Sequence, residues 1–595
     1  SPYQFKISTS DNHSVMYTNT ESQDRQYLKE VQKDSERQEV FGYSRGEKEI
    51  GSRVSEMRID NQIQVKVRYY SSTKPLKERD EKFYRKHPYV DKVQKLEAPL
   101  GAHGEMQTLA EFFYEIGKTD VRDAEGALTR YHHKEGQLSQ IEYFHKEGTL
   151  HSVLKFIWEN QHLKAKVLCD GEERPVFSKT FFYDNKENVI EEVLWGQITG
   201  QVNGSFALNS DGTLSGADHI HKWYEYDSYS NLEKEVEDGG MYYLYNYKEG
   251  TDLLTRKLSF HGGQILQREF YLYNDDHFLA GEILDDGNKE DLTDLTGVSQ
   301  RTIKLYKYND KGFIIEAKHL YLDLASHTER LIERHVYEYD YHNRLCQDKL
   351  YDGHDEYQYT LETEYDERDH IISQSNPLGQ KNIYRYNDKG QLKESEEIGL
   401  PKKIYNLDAL GRILSCEEID DIGNGKTSYN SYDAKGRISS QTDVLGRITK
   451  QTYDTFGRCL RTEFPDSRDD SANTYTLFLQ FTYDVSGNLA SYANSIADTT
   501  RTEYNVFQQP TRIIHADGTV LLHIYYKNGT LAKTIEPDQT EINYTYDPFL
   551  RMTSKKCYTP CGELLSEESW TFDTFHLRSH TDTKGLVTTF FYDGS

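Results

Sequence analysis

Tyr432-Asp433-Ala434-Lys435-Gly436-Arg437-Ile438 reads as the end of one strand, a tight turn and the start of the next. An aspartate side chain can accept a hydrogen bond from a backbone amide two residues on, which initiates a turn. A glycine three residues after it supplies the positive φ that closes the turn. The tyrosine before and the isoleucine after frame a hairpin. The same grammar stands in Tyr386-Asn387-Asp388-Lys389-Gly390-Gln391-Leu392, in Tyr453-Asp454 with Gly457-Arg458, and in Tyr483-Asp484-Val485-Ser486-Gly487-Asn488-Leu489. Asp443-Val444-Leu445-Gly446-Arg447-Ile448 matches without the tyrosine.

Outward from that stretch the pattern recurs. Tyr365-Asp366, Tyr386-Asn387, Tyr405-Asn406, Tyr432-Asp433, Tyr453-Asp454, Tyr483-Asp484, Tyr504-Asn505, Tyr546-Asp547, Phe572-Asp573 and Tyr592-Asp593 are copies, and Tyr526-Lys527 is a degenerate one. Several steps measure 20 to 22 residues, and the 30-residue step from Tyr453 to Tyr483 implies a loop insertion. A fixed period of this kind is the signature of a repeat architecture. Weaker copies run upstream through Tyr339-Asp340, Tyr308-Asn309, Tyr273-Asn274, Tyr226-Asp227 and Tyr183-Asp184, with faint ones at Tyr143-Phe144 and Tyr131-His132. Flanking residues alternate as strands do: Leu477, Leu479, Phe481 and Tyr483 against Phe478, Gln480 and Thr482. The chain therefore divides into a polar region without clear repeats (1–119), degenerate hairpins (120–364) and clear hairpins (365–595). The expected fold is all-β, an extended array of hairpins.

Composition agrees. Hydrophobic residues make up 36% of the chain, too few for a thick aliphatic core, and 47 of them are tyrosines, whose rings pack while their hydroxyls stay wet. Only 12 prolines interrupt the strands. Disorder is disfavoured except in the opening stretch, roughly 1–97, where polar residues dominate. The charge, 71 − 98 = −27, argues against nucleic acid or an anionic membrane as the main ligand and admits a basic partner. Cysteines 169, 346, 416, 459, 557 and 561 are too sparse for a disulfide scaffold, though one or two bridges stay open. No apolar run is long enough to span a bilayer. No signal-peptide pattern stands at the N-terminus, and because the sequence begins with Ser1 rather than methionine that absence says little.

Candidate chemistry is thin. The aspartates recur in equivalent turn positions, whereas catalytic carboxylates need one unusual environment. His132-His133, His219-Ile220-His221 and the Cys557–Cys561 spacing lack a converging third ligand in the sequence. Neither an enzyme activity nor a cofactor is expected. The tyrosine-rich strands would also suit stacking against carbohydrate, although hairpin packing explains the same rings.

These copies resemble the RHS/YD-repeat family, clearly over 365–595 and more weakly from about residue 120. The resemblance implies a β-sheet that winds as a spiral into a hollow shell, which in bacterial members encloses a C-terminal toxin segment and in animal teneurins forms part of an adhesion receptor. It implies a secreted or cell-surface setting, a non-catalytic scaffold, and a polypeptide cargo or flanking parts of the same protein as partners. The alternative is an extracellular repeat protein that binds carbohydrate or a cell surface. The Asp-Pro-Leu-Gly-type closing core of self-cleaving members is not found: Asp547-Pro548-Phe549-Leu550 belongs to a turn, and Asn376-Pro377-Leu378-Gly379 lies mid-array. The last copy, Tyr592-Asp593-Gly594-Ser595, stops inside a turn, so a strand edge there needs a cover.

Overall fold

The computed structural model describes residues 3–8, 14–22, 25–33, 37–44, 53–59, 62–70, 92–99, 105–201, 205–408, 410–468, 474–496 and 498–592. Among them there is no helix, and hence none long and apolar enough to cross a membrane. The chain forms two compact units, unit 1 from 1–153, 339–347 and 361–480, and unit 2 from 154–338, 348–360 and 481–595. In each, successive strands of the sheet pair antiparallel, as an array of hairpins requires. The polar N-terminal region carries strands too, from Tyr3–Ser8 onward, each paired with the next.

A repeat period holds two strands and two different turns. Strand Gly425–Tyr432 pairs with Ile438–Thr442, Tyr432 opposite Ile438, with a one-residue bulge just before the tyrosine. Strand Ile438–Thr442 then pairs with Ile448–Tyr453 through the tyrosine-free turn at Asp443, in unbroken register. The bulge recurs before Tyr365, Tyr386, Tyr453, Tyr504, Tyr525 and Tyr546. Most turns are closed by a glycine or its stand-in at positive φ, +81° at Gly436 and +88° at Gly457. This is a type I turn followed by a left-handed residue, a standard hairpin connection. The tyrosine turns gather at one end of the hairpins and the tyrosine-free turns at the other, because consecutive turns of a meander alternate ends.

The structure shifts several turns read from the sequence. The bulge and the turn expected at Tyr405-Asn406 fall at Leu407 and Asp408, where Asp408 N–H donates to the Arg412 carbonyl. Tyr525 rather than Tyr526 holds the tyrosine position, and Tyr526 stands where the aspartate would. The Tyr143-Phe144 turn begins at His145, and the one near Tyr131 is a two-residue turn at Glu135 and Gly136. Aspartate and glycine set the register; the ring before them is replaceable. Asp593, Gly594 and Ser595 lie outside the described residues.

Most side chains are half-buried, as in a single sheet layer; buried apolar residues lie in both units, Ala98, Ala127, Ile141 and Val153 in unit 1 and a larger set in unit 2, part of it under two insertions. Residues 197–201 and 205–217 fold back so that Gly212 lies against Ala165 and accepts the Ser178 hydroxyl at 2.5 Å, burying Ile198, Leu214 and Val167. Residues 286–300 cover Phe270, Ile283 and Ile303, with Leu292 packed on them. Under this second insertion lies a buried charge cluster. Arg268 donates to Asp285 through Nε at 2.5 Å and a terminal nitrogen at 2.9 Å, and Arg301 Nε donates to the same carboxylate at 2.8 Å.

Candidate functional site: the turn ladder and the seam

Each tyrosine turn is a small network. In Tyr432–Ile438, one Asp433 carboxylate oxygen accepts the amides of Lys435 and Arg437, both at 2.9 Å. The other accepts Arg437 Nε at 2.7 Å. Asp454 does the same for Phe456, Arg458 and the Arg458 side chain, at 2.9, 2.8 and 2.6 Å. Asn387 takes the amides of Lys389 and Gln391 at 3.0 Å each, and Asp484 that of Asn488 at 2.8 Å. Gly390, Gly457 and Gly487 hold the left-handed positions.

The turns also lock to one another, which the sequence reading did not anticipate. The Tyr432 hydroxyl donates to the Ile413 carbonyl of the preceding copy at 2.8 Å, and Tyr453 to Ile438 at 2.8 Å. Tyr386, Tyr504 and Tyr525 repeat the contact with Ile371, Leu489 and Pro510. The arginine works forwards. Arg437 lies 4.6 Å over the Tyr453 ring and donates to the Asp454 carbonyl at 3.0 Å, and Arg344 treats Tyr365 and Asp366 alike at 4.7 and 2.6 Å. The signal was present: arginine four residues after aspartate, in step with the next tyrosine.

Hairpin ends from distant stretches meet along a seam. Within unit 1, Arg437 pairs with Glu125 at 2.5 Å and Lys435 with Asp123 at 2.6 Å, while the Phe456 ring stands 4.5 Å from that of His151. Within unit 2, the amides of Val506 and Tyr525 donate to the carbonyls of Gln197 and Thr199, both at 2.9 Å. The buried Asn505 side chain reaches the Ile198 carbonyl at 2.8 Å. Tyrosine turns thus dock onto tyrosine-free turns. Backbone groups at hairpin ends that would otherwise face water are paired across the seam.

Other candidates disperse. His219 lies tilted against Trp195 and edge-on to His221, which stacks on Trp223, and His132 lies 3.1 Å from Glu142. Among the described residues no group of three or more histidines, cysteines or carboxylates could hold a metal, and all six cysteines are free thiols.

Turn chemistry sets an acid response. At Asp170, Asp340 and Asp366 burial opposes the charge, but hydrogen bonds from amides and from Arg174, Arg344 and His370 outweigh it and hold each carboxyl below its ordinary value. Such a group stabilises the fold above its unfolded pKa of about 3.9 and loses that contribution as pH falls through the lower folded value. Burial pushes the His219 and His523 imidazoles down, so they stabilise above about 6.5 and lose that contribution as pH falls below it. Thermal melting should show a shallow loss below about pH 6.5 and a steep one below about pH 4. A midpoint unchanged down to about pH 2 would contradict the turn networks.

One comparison falls on these turns. The family model of the RHS repeat matches residues 432–468. A search of the curated proteins finds no match. Among solved structures the chain is similar to the Photorhabdus luminescens Tc holotoxin pore, at 10% identity and TM-score 0.26, over 97% of this chain and 34% of that one. It is similar to a TcdB2-TccC3 crystal structure at 12% identity and TM-score 0.27, over 97% and 35%. A porin-like protein from Bacteroides uniformis matches at 10% identity and TM-score 0.14, over 51% of this chain and 95% of that one. The chain spans about a third of the length of the first two. The matched segment holds the Asp433, Asp443 and Asp454 turns, and the same turn geometry recurs on either side of it.

Proposed function

We propose that the chain is a non-catalytic part of the wall of a hollow RHS/YD shell, enclosing a polypeptide as part of a toxin-delivery assembly. The observation that carries this is the seam: tyrosine turns of late hairpins dock on tyrosine-free turns of early ones inside each unit, as a sheet that winds back on itself requires. The half-buried state of most side chains supports a thin wall. The turn carboxylates support a structural role, because amides and arginines already occupy their oxygens. A net charge of −27 favours a basic cargo.

Small-angle scattering tests the shell directly. A compact globule of 595 residues has a radius of gyration of about 25 Å. The wall should give a clearly larger value with a distance distribution skewed to long vectors. A radius near about 25 Å would rule the hollow form out.

A further inference from the structure

Inside unit 2 the seam opens into a cavity of about 660 Å³, within the roughly 300–1,000 Å³ range of small-molecule sites. It opens for a local reason. On the tyrosine-free side, the insertions that follow Gly196 and Asp285 flank two short turns at Gly239-Gly240 and Gly262-Gly263. A Cβ built on Gly239 would meet nothing within 4 Å.

Across the gap the repeat departs from its own grammar. Tyr526 replaces the turn aspartate, its hydroxyl donating to the Tyr544 carbonyl at 3.1 Å while Asn528 Oδ1 accepts the Thr530 amide at 3.1 Å. Leu550 replaces the turn glycine at φ +62° with its side chain 48% exposed. A left-handed leucine costs about 1–2 kcal/mol and here recovers little by packing. Phe507 and Phe549 occupy turn tips that require no ring. Local rules broken together beside a cavity point to binding.

The lining carries no unpaired carboxylate. Glu237 lies 3.2 Å from Lys222, Asp547 2.7 Å from Arg551, and Asp238 3.9 Å from Lys527. A charged ligand would have to displace one of these partners. Rings on one wall (Phe507, Tyr526, Tyr546, Phe549) and polar groups on the other (Asp238, His261) suit a molecule with an apolar face and a hydroxylated rim. We propose that this seam cavity is a binding site for a neutral pyranose sugar, stacked on Tyr526 or Phe549 and hydrogen-bonded by Asp238 and His261. The proposal is independent of the enclosed cargo.

The test uses the full chain and neutral mono- and trisaccharides of glucose, galactose and N-acetylglucosamine, read by saturation-transfer NMR and calorimetry. At least one should bind. Gly239→Trp, which fills the cavity, should weaken it at least about tenfold without lowering the melting temperature, and Tyr526→Ala supplies the same readout if the tryptophan impairs folding. Leu550→Gly should separate the two properties, raising the melting temperature while weakening the sugar. No binding at about 10 mM, binding indifferent to both cavity variants, or occupation by a lysine-rich peptide instead of sugar would overturn the proposal.

Discussion

Asp285→Ala should lower the unfolding free energy of unit 2 by about 3–5 kcal/mol, the larger of two losses expected from single substitutions. The side chains of Arg268 and Asp285 are fully buried and that of Arg301 is 9% exposed, so removing the carboxylate leaves two neighbouring guanidiniums without their anion. Arg268 also holds the insertion down, donating to the carbonyls of Lys289 at 2.5 Å and Asp291 at 2.9 Å, and Arg301 to that of Leu292 at 2.8 Å. Replacing the whole cluster by Arg268→Met, Asp285→Leu and Arg301→Met should recover most of the loss, since the damage is an uncompensated charge rather than a missing bond. Denaturant unfolding followed by intrinsic fluorescence measures both. A single variant within about 1 kcal/mol of the parent would mean that water reaches the cluster.

Arg437→Ala should cost about 2–3 kcal/mol, because one side chain serves its own turn, the next copy and the seam. It completes its own turn through Asp433, stacks on Tyr453 of the next copy, and crosses the seam to Glu125 at 2.5 Å. With only 17% of its side chain exposed, solvent screens these contacts incompletely. Arg437→Lys keeps the charge but loses the planar fork and should recover less than half. A double-mutant cycle with Glu125→Gln isolates the seam contribution. Full recovery by lysine would show that geometry is irrelevant there.

The sequence revealed the hairpins because a turn is a local object: Asp433 and Gly436 carry its chemistry within four residues. Tyr405 and Tyr526 misled because the ring is a weaker constraint than the carboxylate beside it, so leucine fills the tyrosine position at Leu407 and tyrosine the aspartate position at Tyr526. Composition hid the strands of the N-terminal region, although Tyr3, Phe5 and Ile7 alternate with polar residues. The seam was illegible for another reason. Arg437 and Glu125 are 312 residues apart, and no local pattern names a partner at that distance. The cavity was legible only afterwards, once the ladder showed which residues broke its rules.

The ladder has a direction. Turn tyrosines such as Tyr432 and Tyr453 reach back to a carbonyl already laid down, and turn arginines such as Arg344, Arg437 and Arg551 reach forward to a ring not yet in place. As the chain emerges from the ribosome, each new hairpin meets a finished template and needs to close only a short loop. Growth is then a zipper that runs from N- to C-terminus, and the 312-residue seam closures come last. Synthesis would set the order of assembly, and a stalled chain would already be folded up to its last complete rung.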